Sequence, residues 1–301
     1  MAAPLRKAAA SVRERTGILT QPDSNLLTHT AGTAYDAGNP HLIKYKSQRG
    51  NVPNSGLDVV SRFEYPLVYE PGEAWGYSTG IDWAGLVVER LTDSTLETFM
   101  KANIWDPLGL ESMTFFPSQT KGEEDRVPVL SARGADAQLH PHKGPFINTG
   151  VTGCFGGSGM YSTMSDYLKF MCSLLANDGK LLKPKSVDEL FKPRLTAIQA
   201  KAHKDFSLSS MGKFFIGEFD WDKYKHGWSY GGLVFLQAYD DGRRRQGAIT
   251  WGGMANSFWL LDREAGLAIT FGTQVIPPGD EGVKGAISLV EKAVYAMAGK
   301  A

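Results

Sequence analysis

The chain has 301 residues, of which 42% are hydrophobic and 21% charged, the composition of a packed soluble protein rather than a disordered one. Its 32 Lys and Arg offset 32 Asp and Glu, and no basic run could follow a phosphate backbone, so nucleic acid is excluded as a partner. Apolar runs fall far short of the about 20 residues a helical membrane span requires. Cys154 and Cys172 can build neither a disulfide framework nor a zinc site, which agrees with a reducing, cytoplasmic location.

The Ala-rich segment Met1 to Gly17 carries Arg6, Lys7, Arg13 and Arg15 but lacks the about 7 to 15 apolar residues of a secretory signal. It reads as a surface helix, with a mitochondrial transit segment as the alternative. Further on, Trp83, Leu86, Val87, Val88 and Leu91 recur at helical spacing, and Asp93 with Ser94 interrupts them. Ser94 and Glu97 match a capping box for a second helix. Its buried stripe is Leu96, Phe99, Met100 and Ile104, and it is expected to stop before Pro107. A third helix opens at Thr163, shows Met164, Leu168, Met171, Cys172 and Leu175 on its apolar face, and ends at Asn177–Asp178–Gly179. On that reading Cys172 is a small core residue.

Residues 183–225 are polar and broken, and are expected to be mostly loop, with a short helix from Ser186 to Phe191. From Ser229 the texture becomes β. Leu233 to Tyr239, Gly247 to Trp251, Phe258 to Asp262 and Leu267 to Thr273 form runs separated by turn-forming residues, an antiparallel meander with a hairpin loop over Asp262 to Gly266. Val283, Ala286, Ile287, Val290, Val294 and Met297 then outline a closing amphipathic helix for one sheet face.

Three places could carry chemistry. Tyr77 stands between Gly76 and Gly80 at the mouth of a helix starting near Asp82. Its phenol acts as a general base only where its surroundings bring its pKa down from about 10; otherwise it packs in a turn. Trp251–Gly252–Gly253–Met254 ends a strand, where two glycines either admit a substrate to an exposed N–H facing a developing oxyanion or mark a bulged edge. Gly156–Gly157–Ser158–Gly159–Met160 resembles a nucleophile elbow except at Met160, with its helix delayed to Thr163. His140–Pro141–His142 has no evident third metal ligand.

In order along the chain, Leu26 to Gly32, Pro71–Gly72–Glu73 leading to Tyr77–Ser78, Ile104 to Met113, Gly156 to Asp166 and Trp251–Gly252–Gly253 together resemble the serine β-lactamase and penicillin-binding-protein superfamily. Trp-Gly-Gly and the context of Tyr77 are similar to its class C-like esterase and fungal, lovastatin-acyltransferase-like branch. The resemblance implies an α/β fold of the α+β type, β-lactamase/transpeptidase-like, with an antiparallel sheet flanked by helices and a helical subdomain. It divides the chain into a divergent segment 1–25 and a domain 26–301, helical to about 228, with the sheet and closing helix over 229–301. The N-terminal helix and first strands of the family are expected to be missing.

By the same resemblance Tyr77 is the catalytic base, and Trp251, Gly252, Gly253 and the Met254 N–H line the substrate and oxyanion side. Thr79 stands where β-lactamases usually keep an asparagine, which argues against antibiotic hydrolysis. The implied reaction moves an acyl group from an ester or thioester, possibly on a carrier protein, to a small-molecule alcohol of secondary metabolism. Hydrolysis is the alternative. The family's Ser-x-x-Lys nucleophile is not found upstream of Leu26, and Ser210–Met211–Gly212–Lys213 has the spacing but not the chain order. An inactive ligand-binding relative is therefore a further alternative. The resemblance implies no metal and no organic cofactor.

Overall fold

The computed structural model describes residues 23–119, 126–143, 148–216 and 220–300; the expected surface helix over Met1 to Gly17 lies outside them. The described residues divide into two compact units that alternate along the chain, the first within 1–103, 145–160 and 196–203, the second within 104–144, 161–195 and 204–301.

The first unit is helical. It contains α1 (Asp23–Leu27), α2 (Pro40–Ser47), α3 (Val59–Phe63), α4 (Gly80–Thr92) and α5 (Leu96–Met100). Asn39 and Asp58 cap α2 and α3 by accepting backbone N–H groups. The expected helix near Asp82 is α4; it buries Asp82, Trp83 and Gly85 and ends on Asp93 in the left-handed conformation. Leu91 is exposed instead of sharing that buried face. The cap of α5 is Thr95, accepting from the Thr98 N–H, rather than Ser94, because Ser94 pairs its hydroxyl with Thr92.

The helix also runs past its expected end. A π-turn over Lys101–Trp105 leads into α6 (Asp106–Leu108), whose first turn accommodates Pro107, and the left-handed Gly109 stops it. Proline at an N-terminal turn loses an N–H that has no partner there in any case.

In the second unit, β3 (His226–Trp228), β4 (Leu233–Phe235), β5 (Ile249–Gly252), β6 (Phe258–Asp262) and β7 (Leu267–Phe271) form the five-stranded antiparallel sheet in sequential order. β3 precedes the expected start of the meander. A small sheet of β1 (Ser131–Arg133), β2 (Leu139–Pro141) and β8 (Val275–Ile276) was not evident from pattern, since two- and three-residue strands have no readable period.

Strand alternation assigns the two faces of the larger sheet. Val234, Ile249 and Leu261 pack against Met171 and Leu174 of α7 (Met164–Ala176), and against Val187 and Phe191 at and after α8 (Pro184–Leu190). Phe235 and Asp262 face the other way, toward residues that bind the closing helix.

Two sequence expectations fail here for a common reason. Thr163 caps α7 as expected, but the stripe through Met171 and Leu174 turns Cys172 to solvent. The expected short helix is α8, but much of the rest of the expected loop over 183–225 is helical as well, as α9 (Ala197–Leu208) and α10 (Ser210–Ile216). The buried positions of α9 are Gln199, His203 and Ser207, four residues apart and all polar. A search for apolar periodicity passes over such a face.

The closing helix is α11 (Glu281–Met297), although Met297 is exposed. Its Glu291 is fully buried and accepts from Arg244 at 2.6 and 2.8 Å. Tyr295 donates to Asp262 at 2.5 Å, and the Arg244 N–H donates to the Tyr295 oxygen at 3.0 Å. Replacing Glu291 with alanine leaves Arg244 without its buried counter-charge. The expected loss is about 3–5 kcal/mol of stability, read from denaturant unfolding at constant m-value.

Candidate active site

Tyr77 sits in an irregular segment just before α4, and its position follows from what holds its neighbours. The left-handed Gly72 donates its N–H to the Thr30 carbonyl at 2.8 Å, which fixes where the segment begins. The side chain of Gln199 donates to the Gly72 carbonyl at 2.9 Å, and the rings of Trp75 and His203 meet at 4.4 Å between centroids. The polar face of α9 is thus used on this segment. At its end, a Cβ on Gly80 would run into the Leu26 carbonyl, so the α1–α4 approach requires glycine.

The Tyr77 ring lies 4.8 Å from the His29 ring and 5.6 Å from that of Tyr35. Tyr35 donates its hydroxyl to Asp82 at 3.2 Å, and the Gly157 N–H donates to the other oxygen of the same carboxylate at 2.9 Å. A side chain at Gly157 would meet Asp82 at 2.7 Å, so the backbone can come this close only as glycine. Burial pushes the Asp82 carboxyl up to about 6, against the lowering effect of the Gly157 and Tyr35 hydrogen bonds and Arg62. Burial, with the charge of Asp82, also raises the Tyr35 phenol well above its ordinary value, so that phenol remains a proton donor at neutral pH. Burial holds His29 down to about 3, and its imidazole is neutral.

In the second unit, Trp251 and Gly252 close β5, and Gly253, Met254 and Asn256 form the turn into β6. Trp251 packs edge-on against Trp228 at 4.6 Å. A Cβ at Gly252 would meet the Ser257 carbonyl at 2.7 Å, and one at Gly253 would strike the Ser257 hydroxyl. The Gly253 N–H donates to that carbonyl at 2.9 Å, and Met254 is exposed at the tip.

Asn256, which sequence reasoning missed, braces the turn: its amide donates to the Val275 and Pro277 carbonyls at 2.7 and 2.9 Å and accepts from the Gly279 N–H at 2.7 Å. The left-handed backbone of Asn256 is the only local signal that could have drawn attention to it, and it is not visible in a sequence.

The remaining candidates separate from these. Ser158 is exposed in a turn closed by N–H groups of residues 158 and 159 donating to the Phe155 carbonyl. With neither a strand before it nor a helix directly after, it is not a nucleophile elbow. Ser210 and Lys213 belong to α10 rather than to a loop. Ser118–Gln119–Thr120–Lys121 is another Ser-x-x-Lys that pattern reading passed over; Ser118 lies in a short 3-10 turn and Lys121 lies outside the described residues. His140 pairs with Asp136 at 2.9 Å on the surface, and among the described residues no group of three or more His, Cys, Asp or Glu could hold a metal. No described helix is long and apolar enough to cross a membrane.

The buried carboxyl gives stability a pH dependence. Between pH ~4 and ~6 the folded state keeps a proton on Asp82 that the unfolded chain has released, so Asp82 lowers stability as pH rises through that window, by about 3 kcal/mol in all, and adds no slope above it. The neutral His29 acts oppositely, losing stability as pH falls from about 6.5 toward 3. Asp82→Asn removes only the first effect. Its melting temperature relative to the unmodified chain is expected to climb between pH 4 and 6 and then stay level, as followed by circular dichroism.

A profile described as Beta-lactamase matches residues 24–292. Lovastatin esterase of Penicillium rubens is 38% identical over 258 residues, covering 85% of this chain and 64% of that protein. Monacolin J acid methylbutanoyltransferase of Aspergillus terreus is 33% identical over 295 residues, covering 96% of this chain and 70% of that protein. The solved structure of a simvastatin synthase (LovD) variant from Aspergillus terreus superposes with a TM-score of 0.82 at 32% identity, covering 93% of this chain and 67% of the other. The chain therefore spans about two thirds of the length of these relatives. It has the β-lactamase/transpeptidase-like fold, with sheet flanked by helices, and it belongs to the beta-lactamase family.

Proposed function

We propose that this protein is an acyltransferase that moves an acyl group from an ester or thioester to a small-molecule alcohol in secondary metabolism. The observation that carries the reading is the 33% identity to monacolin J acid methylbutanoyltransferase across 96% of the chain, with Tyr77 held in a segment whose two ends are anchored. In this reading Tyr77 reacts as the phenolate and takes the proton from the attacking hydroxyl of a serine as that hydroxyl's oxygen bonds to the acyl carbon. The Met254 N–H, presented by the turn of Trp251, Gly252 and Gly253, donates to the carbonyl oxygen as it becomes an oxyanion. Collapse expels the alkoxide or thiolate, which recovers the proton from Tyr77. The acceptor alcohol then repeats the sequence on the acyl-enzyme. A thioester on coenzyme A or on a carrier protein suits the donor side, because a thiolate leaves readily. Hydrolysis is the second reading, favoured by the 38% identity to lovastatin esterase; the two differ only in whether water or an alcohol discharges the acyl group.

Intact-mass measurement of the chain after mixing with a short activated acyl ester tests the reading. A gain of one acyl group is expected, discharged faster by an added alcohol than by water, and slowed about 10²- to 10⁴-fold in Tyr77→Phe. Absence of the acylated species from folded protein overturns the proposal, as does acylation unaffected by Tyr77→Phe. Discharge indifferent to alcohol selects hydrolysis.

A further inference from the structure

His29 has no role in the reaction proposed above, yet it is placed against both neighbours of Tyr77. Its carbonyl accepts the Gly76 N–H at 3.1 Å. Its imidazole Nδ1 accepts the Ser78 N–H at 3.3 Å and lies 3.1 Å from the Ser78 hydroxyl. The Tyr69 hydroxyl donates to the same His29 carbonyl at 2.9 Å. The His29 ring stands 4.8 Å from the Tyr77 ring and 5.9 Å from that of Trp75, and the residue is buried. An Nδ1 that accepts a backbone N–H carries no proton, so the tautomer is Nε2–H, and the low pKa of the buried ring keeps it so at neutral pH.

We infer that His29 is a positioning residue for Tyr77, its carbonyl and its Nδ1 fixing Gly76 and Ser78 so that the phenol between them is held in one orientation. This rests on the reading of Tyr77 as the base. The physical need is plain, because a loop residue must be held within a fraction of an ångström to transfer a proton efficiently. Tyr77 itself lies in neither a helix nor a strand. Fixing the residue on each side removes most of the freedom that the intervening one would have. The backbone of His29 is left-handed, φ 58°, a conformation most side chains disfavour and asparagine tolerates. Histidine, like asparagine, is among the residues that adopt it most readily, and it adds an acceptor two bonds from Cβ.

Two substitutions separate the roles of backbone and acceptor. His29→Gly accepts the left-handed backbone freely and deletes Nδ1. His29→Asn also tolerates that backbone and puts Oδ1 at the level of Nδ1. Acyl transfer and amide hydrogen exchange at Gly76 and Ser78 are measured on the whole chain, with melting temperatures for each variant. In His29→Gly the Ser78 amide is expected to exchange at least about tenfold faster, and kcat to fall about 10²-fold with KM within about twofold. His29→Asn restores Ser78 protection and most of kcat.

The inference is overturned if His29→Gly keeps kcat and Ser78 protection, or if His29→Asn is no better than His29→Gly in either. If the unmodified chain transfers no acyl group, it is the reading of function that fails. The exchange data then decide the positioning role alone: protection lost in His29→Gly and regained in His29→Asn upholds it, and unchanged protection overturns it.

Discussion

A carboxylate with no access to water orders the first unit. Asp82, in the first turn of α4, is fully buried. Its two oxygens are met from different parts of the chain, Tyr35 on one and the Gly157 N–H on the other. An isolated ionised group in such a place would cost many kcal/mol, so its partners must be in place for the unit to be stable. Arg62 is the nearby cation that lowers the carboxyl's pKa, and it is itself held by the Gly56 carbonyl and by Asn148 at 2.7 Å. Tyr35, fixed by Asp82, then stands against Tyr77. The surroundings of the candidate base thereby depend on a buried charge.

The second unit uses the same device on a different scale. Asp262 ends β6, accepts from the Ala265 N–H in the hairpin at 2.8 Å and from the Arg245 N–H at 3.0 Å, and takes the Tyr295 hydroxyl of α11. Glu291, one turn earlier on α11, binds Arg244. Buried polar groups of this kind add little net stability over an apolar core. In the observed register of helix on sheet, Glu291 and Asp262 each have a buried partner. With β5 and β6 fixed in that register, the Gly253–Ser257 turn is set by its own hydrogen bonds and by Asn256.

The parts of the fold legible in the sequence were those with local causes. The β runs and turns of β4 to β7, the Thr163 cap of α7 and the Asn177 stop each depend on a few adjacent residues, and the structure has each of them. Misreadings arose where distant residues decided the outcome. Gln199 and His203 make α9 a packed helix through Gly72 and Trp75, more than a hundred residues away in sequence, so its buried face is polar. Cys172 was assigned to the core because it sits within an apolar stretch, but a helix turns by about 100° per residue and the sheet meets Met171 and Leu174 instead.

Of the candidate site, the residue types and their order were readable, since the tyrosine between glycines and the Trp-Gly-Gly strand end announce themselves locally and carry the family resemblance. Composition alone determined that this is a globular chain without net charge, and local pattern determined the meander and its closing helix. What tertiary structure decided is how each candidate is held: Tyr77 by His29 and Tyr35, Tyr35 by Asp82, the Gly253 turn by Asn256. Most of these pairings join residues tens of positions apart and involve ordinary polar side chains, whose partners are chosen by burial. A hydrogen bond becomes obligatory only when the chain has excluded the water that would otherwise supply it, and that exclusion is a property of the folded molecule.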